Sequence, residues 1–327
     1  MQSKDIKNME TAPMSRFQFV LNWRDYFVYI AFAIVLIFFA FTISGDGFFN
    51  PSNLFNIVRA TTMISIMAVA MTFVISAGEL DLSIGSTTAF SALISAMAMD
   101  AGYGMAVGVI AGLLAGLLIG AINGILVTKV GIPSFLVTLG MMQLLRGVDM
   151  WLTNTNPVVV KNESFNFWFG SGNLGSIPVL LLWSLVFLGA GHYALKHTPF
   201  GREVLATGGN RLAAEYSGVN TKRIKFYAFL LSGGAAAIAG MLYAGMMQSA
   251  RYSFGQGDEL SAIAAVILGG TSLFGGAGTI IGTMIGSLLI GTINNGLIIM
   301  GLSVSQQMIV SGAIIILAVA FGKKPSS

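Results

Sequence analysis

Residues 26–44 read YFVYIAFAIVLIFFAFTIS, without one charged side chain. A helix that crosses the roughly 30 Å hydrocarbon core of a bilayer needs about 20 predominantly apolar residues. This run meets that need, and the 25 mixed polar residues before it lack the short basic and small-residue flanks of a cleaved signal. It is read as a retained first span. Working outward, apolar runs between polar breaks place further spans near residues 57–77, 84–99, 103–127, 133–152, 177–195, 226–247, 260–270, 279–300 and 304–321. The composition agrees: 55% of the 327 residues are hydrophobic, 9% are charged, and the mean hydropathy is +0.81. The expected fold is an all-α integral membrane protein of about ten transmembrane helices. Residues 26–321 form one membrane domain, with a polar segment 1–25 before it and a tail 322–327 after it.

The net charge of +4 points to membrane topology and not to nucleic acid. With the N-terminus inside, four Lys and Arg precede residue 26, one is Lys129, six lie in 196–225 and two are Lys323 and Lys324, giving 13 of 17 on the cytoplasmic side. Arg59, Arg146, Lys161 and Arg251 remain outside, and the acidic residues divide seven to six. Only positive charge sets orientation, so both termini are expected in the cytoplasm of a bacterial inner membrane.

The chain repeats itself. LLIGAIN at 117–123 returns as LLIGTIN at 288–294, and GELDLS at 78–83 is echoed by GDELS at 257–261. On the topology above the two copies run in opposite directions, the inverted-repeat pattern of transporters, with halves near 57–152 and 226–321. The runs after Ser83 and Leu260 are too short for uninterrupted spans. Each is either a tilted helix with polar ends or a broken helix lining a cavity. Gly108, Gly112, Gly116 and Gly120 form a ridge at every fourth residue, and Gly278, Gly282 and Gly286 form another. Such ridges let helix backbones approach, in a bundle or at a dimer seam.

The absence of cysteine rules out disulfides and thiolate metal sites. Two histidines cannot build a metal cluster, and no nucleophile-base constellation appears, so neither a metal site nor an enzyme is expected. Without a GxxxxGK[ST] phosphate loop the chain itself holds no ATP by that device, and energy must come from a partner or a gradient. Carboxylates near spans need a reason. Glu79 and Asp81 are the foremost candidates, with Asp81 and Ser83 placed to cap the helix beginning near Ile84. Asp258 and Glu259, at the outer end of the eighth span, are either solvated or in contact with an external partner. The 196–225 loop, TPFGREVLATGGNRLAAEYSGVNTKRIK over residues 198–225, is much longer than the other internal connections, and its glycines mark defined turns around a helical stretch at 211–216. It reads as a docking element.

GELDLSIGS at 78–86, the 201–219 loop and AIAAVILGGTSLFGGAGTIIGT at 262–283, taken together, resemble the permease subunits of bacterial ribose, xylose, arabinose and galactose ABC importers over about residues 50–321. The resemblance implies a second permease copy or close paralogue, a cytoplasmic ABC ATPase carrying the ATP and magnesium, and an external sugar-binding protein. It implies an ATPase coupling segment at Gly201, Arg202, Ala206, Gly208, Asn210, Ala213, Ala214, Ser217 and Gly218; within it, Arg202 and Arg211 are read as able to pair with acidic residues of the ATPase. No cofactor is implied in this chain. A neutral sugar calls for neutral hydrogen-bonding groups, so Ser83, Ser261, Asn123, Asn294 and Asn295 join Glu79 and Asp81 as candidates for the translocation path, although such asparagines also bond neighbouring helices. Glu79 and Ser261 depart from the family pattern and leave the cargo open among monosaccharides, nucleosides, polyols and a furanone signal. A gradient-driven transporter is the alternative. It would need ionisable groups within spans and would leave the basic loop without a role.

Overall fold

Each expected span is a helix. The computed structural model describes residues 27–321; segments 1–26 and 322–327, with the six basic residues assigned to them, lie outside the described residues. The spans are α1 (Phe27–Thr42), α2 (Pro51–Ser76), α3 (Ile84–Asp100), α4 (Gly104–Ile125) and α5 (Ser134–Thr153). After a one-turn helix α6 (Glu163–Asn166) come α7 (Val179–His197) and two helices in the long loop, α8 (Pro199–Gly209) and α9 (Arg211–Tyr216). Then follow α10 (Thr221–Met247), α11 (Asp258–Leu268), α12 (Ile280–Ile299) and α13 (Val304–Phe321). Polar caps fix several starts: Asn50 and Thr279 accept the backbone N–H of Ser52 and Gly282, and Asn220 accepts that of Arg223. Among the described residues, six helices are long and apolar enough to cross a membrane, and α1 and α13 are shorter apolar helices.

The two groups of spans on either side of the long loop exchange partners. The long helix α10 of the second half packs on α3 and α4 of the first, while α2 of the first packs on α11 and α12 of the second. The glycine ridges supply the close approach. A methyl group on Gly116 would strike the carbonyl of Gly233 in α10, one on Gly120 that of Phe229, and one on Gly286 that of Ala265. These ridges therefore serve intramolecular packing. Across the α2–α12 seam, Ser65 and Ser287 hydroxyls lie 2.7 Å apart and Thr72 and Thr283 hydroxyls 2.9 Å apart.

The connections sort onto two faces. On one, Gly78 lies beside Gly208, Leu80 donates its N–H to Ser134 Oγ, and Ser76 accepts the N–H of Gly276. This face gathers segments 77–83, 126–133, 198–220 and 269–279. On the other, two short antiparallel strands, β1 (Val158–Val159) and β4 (Ser249–Ala250), pair the segments after α5 and α10, while Asn53 and Asn295 exchange side-chain hydrogen bonds of 2.9 and 3.1 Å. The strands β2 (Asn173–Leu174) and β3 (Ile177–Pro178) make a hairpin before α7.

Both short spans are helices reached through a non-helical lead-in. Eleven residues of α11 cover only about 16 Å at 1.5 Å per residue, and its lead-in is the segment 251–257; that of α3 is 77–83. The 251–257 segment reaches the start of α3. Gly85, in the first turn of α3, touches Gly255 so closely that a methyl on either would strike the carbonyl of the other. Non-helical backbone at membrane depth is tolerated where it is enclosed by protein or lines a cavity.

Candidate functional site

At the entrance to α3, a polar centre is assembled from the first half and α10. Asp81, 2% exposed, accepts the backbone N–H of Ser83 at 3.0 Å and its hydroxyl at 2.6 Å on one oxygen, and the Ser232 hydroxyl of α10 at 2.6 Å on the other. Ser83 Oγ in turn accepts the amide Nδ2 of Asn123 at 2.8 Å. Asn123 is fully buried, and its carbonyl oxygen has no partner. Three residues singled out from sequence, Asp81, Ser83 and Asn123, thus form one network. The capping expectation needs revision: Ser83 makes no side-chain cap to α3, because its hydroxyl is spent between Asp81 and Asn123. The other candidates lie apart. Ser261 bonds only its own helix entrance through Gly257, Asn294 accepts from Ser311 at 3.3 Å, and Asn295 bonds Asn53. The last two join neighbouring helices.

Toward the basic face, Glu79 forms an ion pair of 2.5 Å with Lys225, and both side chains are largely buried. They belong to a polar cleft of about 330 Å³ whose other charged side chains are Lys129, Arg211 and Lys222. A widened helical turn, Leu126–Val130, forms one wall; such π-turns recur at functional sites.

The long loop is a built element seated on the membrane domain. Thr198 caps α8 by accepting the N–H of Gly201, and Asn210 caps α9 by accepting that of Ala213 at 3.0 Å. Gly218, at φ +87°, ends α9 in a conformation that favours glycine. Gly208 is not a turn residue, as its sequence context suggested; it lies inside α8. Its Cα faces α2 and the 269–279 loop so tightly that a methyl there would strike the Ser76 carbonyl and come within 2.8 Å of Gly276 N. Gly201 likewise sits against the last carbonyls of α7.

The short helix α9 turns one face onto the chain and the other outward. Ala214 is buried against the chain itself, whereas Leu212 is 64% and Tyr216 91% exposed. Arg202, Ala206, Arg211, Ala213 and Ser217 are also exposed. Glu215 accepts from the Thr221 hydroxyl at 2.6 Å and from Arg211 at 2.9 Å. Those bonds, Thr221 first, hold its carboxyl below the usual range, and they lock α9 to the first turn of α10.

On the opposite face, Asp258 accepts the Tyr243 hydroxyl at 2.6 Å and Glu259 accepts the N–H of Gly257, so both turn inward. A cluster that sequence reading passed over lies beside them. Arg146 of α5 donates to the carbonyls of Tyr252 and Phe254 in the lead-in segment 251–257. One turn on, Asp149 is fully buried with neither carboxylate oxygen bonded. The available signal was their three-residue spacing, which places both on one helix face.

Comparison with known proteins agrees with this architecture. Residues 53–319 match the family described as branched-chain amino acid transport system, permease component. The chain is 43% identical over 295 residues to the ribose import permease protein of Escherichia coli K12, covering 89% of this chain and 91% of that one. It is 40% identical to the ribose import permease protein of Bacillus subtilis 168, covering 88% and 89%. It is 33% identical to the L-arabinose ABC transporter permease protein of Azospirillum brasilense, covering 89% and 86%. No solved structure matches the chain. Exchanged helical halves, a buried polar centre and a match that spans most of the chain place it in one class: the chain belongs to the family of transport-system permease components, membrane transport subunits and not enzymes.

Proposed function

We propose that this chain is the membrane permease of an ATP-driven importer that passes a monosaccharide of the ribose type from an external binding protein to the cytoplasm. The names of its relatives support the cargo, and the amide oxygen of Asn123 at the centre, without a partner among the described residues, is a neutral group that suits a sugar hydroxyl. The observation that carries the coupling is the seat of α8 and α9: Gly208 rests against Ser76 and Gly276 while Leu212 and Tyr216 stand out from the basic face. Exposed apolar and aromatic side chains on a short, capped helix are what a cleft in a soluble partner would cover. That partner is a cytoplasmic ABC ATPase, which holds the ATP and magnesium.

Two further readings belong to this proposal. The basic face, with seven of the eleven Lys and Arg among described residues, faces the cytoplasm, so both termini do as well. A second permease copy lies on α5. That helix packs on α3 and α4, leaving a face of Leu136, Gly140, Gln143, Gly147 and Trp151 exposed. A glutamine amide facing lipid would be unsatisfied, and the two glycines meet nothing within 4 Å.

Both parts can be tested on a background without native cysteine. Single cysteines at Lys161 and Arg251 should react with an impermeant maleimide added outside intact cells, and one at Lys222 should not; the reverse pattern would overturn the orientation. Tyr216→Asp should cut co-purification of the ATPase by about tenfold or more, as expected for losing one exposed aromatic anchor, while leaving membrane yield and thermal melting unchanged. Normal ATPase recovery with Tyr216→Asp and Leu212→Ser combined would remove α9 from the coupling contact.

A further inference from the structure

We infer that Glu79 is a positioning residue of the transport cycle: through Lys225 it ties the lead-in segment 77–83, and with it the Asp81–Ser83–Asn123 centre, to the helix that the coupling segment drives. The inference rests on the coupling role proposed for α9.

The path runs in three steps. First, α9 and α10 are locked together, since Glu215 of α9 holds the Thr221 hydroxyl and Ala214 accepts the N–H of Val219. A displacement of α9 is therefore passed to the start of α10. Second, Lys225 and Ser232 stand seven residues apart on α10, two turns along one face. Each holds a carboxylate of the same short segment: Lys225 the Glu79 group at 2.5 Å and Ser232 the Asp81 group at 2.6 Å. Two attachments, one polar and shallow and one deeper, make 77–83 and α10 move as one body. Third, the body ends at the centre itself, because Asp81 also holds Ser83, and Ser83 holds Asn123.

The charge pattern singles out Glu79. Among the described residues it is the one carboxylate lining a cleft whose other charged groups are Lys129, Arg211, Lys222 and Lys225, and Arg211 stands on α9. A carboxylate among cations belonging to the α4–α5 turn, the coupling helix and α10 holds those three elements in one arrangement. Partly buried, the pair is screened less by salt than a surface ion pair. Proximity alone does not show coupling, so the test is removal of each charge followed by rescue.

Glu79→Gln, Lys225→Gln, the reversed pair Glu79→Lys with Lys225→Glu, and the conservative Lys225→Arg are each assembled with the ATPase and the binding protein in proteoliposomes. Each single glutamine variant should retain the ATPase and its basal hydrolysis but lose about tenfold in uptake and in stimulation by loaded binding protein, the size of a coupling of roughly 1.4 kcal/mol. Lys225→Arg and the reversed pair should recover most of both. Uptake at the parental rate in both glutamine variants would overturn the inference. So would loss of ATPase recovery in them, which would place the pair in docking, or a reversed pair no better than the single variants. Normal ATPase recovery in the Tyr216 experiment would instead strike the coupling role of α9 on which the inference rests, an outcome distinct from those of the glutamine variants.

Discussion

Gly208→Ala should lower uptake by about tenfold or more in well-expressed protein, while Gly209→Ala, one residue on, should be tolerated. The added methyl at 208 meets the backbone carbonyl of Ser76 and, at 2.8 Å, the backbone nitrogen of Gly276. Neither can swing away as a side chain would. Overpacking of this kind costs about 1–3 kcal/mol, and here it is relieved only by lifting α8 off the two loops beneath it. At Gly209 the nearest atom is Gly276 Cα at 3.5 Å, an ordinary contact, and alanine gains about 0.5–1 kcal/mol of helix preference. Uptake and thermal melting of the two variants decide the matter. Equal transport by both would show that α8 has slack against the membrane domain, and the seat would not be the point where force is delivered.

A second large effect is expected at Asp81. Alanine there leaves the Ser83 N–H and two hydroxyls without their acceptor in a buried site, at about 1–3 kcal/mol for each donor that finds no substitute. Asp81→Ala should therefore reduce folded protein recovered from the membrane and lower its melting temperature by several degrees. Asparagine is a different case. Its oxygen can accept both bonds from Ser83, and its amide can donate to the Ser232 hydroxyl once that group rotates. Asp81→Asn should thus approach parental stability. If alanine and asparagine melted alike, the carboxylate network would not be what holds the lead-in segment, and the centre would need another support.

The helical spans and the helix Arg211–Tyr216 were legible in the sequence, because each rests on a pattern that lipid or turn chemistry imposes on residue order. Membrane helices announce themselves by uninterrupted apolar runs, and Asn210 with Gly218 marks both ends of α9 by the preferences of a cap and of a left-handed stop. Other features depend on which side of a helix meets a neighbour. Six residues are too few for a periodicity to say that Ala214 turns inward while Leu212 and Tyr216 turn outward. Gly208 looked like a turn because glycines at 208 and 209 interrupt the run; only the approach of Ser76 and Gly276 gives it a packing role. Arg146 and Asp149 were hidden for the opposite reason. They were assigned by topology to the outside, and nothing in the order of residues says that α5 carries them against the 251–257 segment.

The exchanged packing of the halves has a consequence for biogenesis. As the chain leaves the translocon, α2 enters lipid with Ser65 and Thr72 on its flank, yet their partners on α12 lie 222 and 211 residues further along. Until α12 has been made, those hydroxyls fall back on their own helix's carbonyls, as Thr72 does with Ala68, and the glycine-lined grooves of α4 wait empty for α10. The first half is thus an unfinished lodging for the second, and it is exposed to membrane quality-control proteases for as long as synthesis lasts. A chain arrested after α5 would be a poor candidate for survival, whereas the same residues supplied together with a separately translated second half would have their missing helices restored.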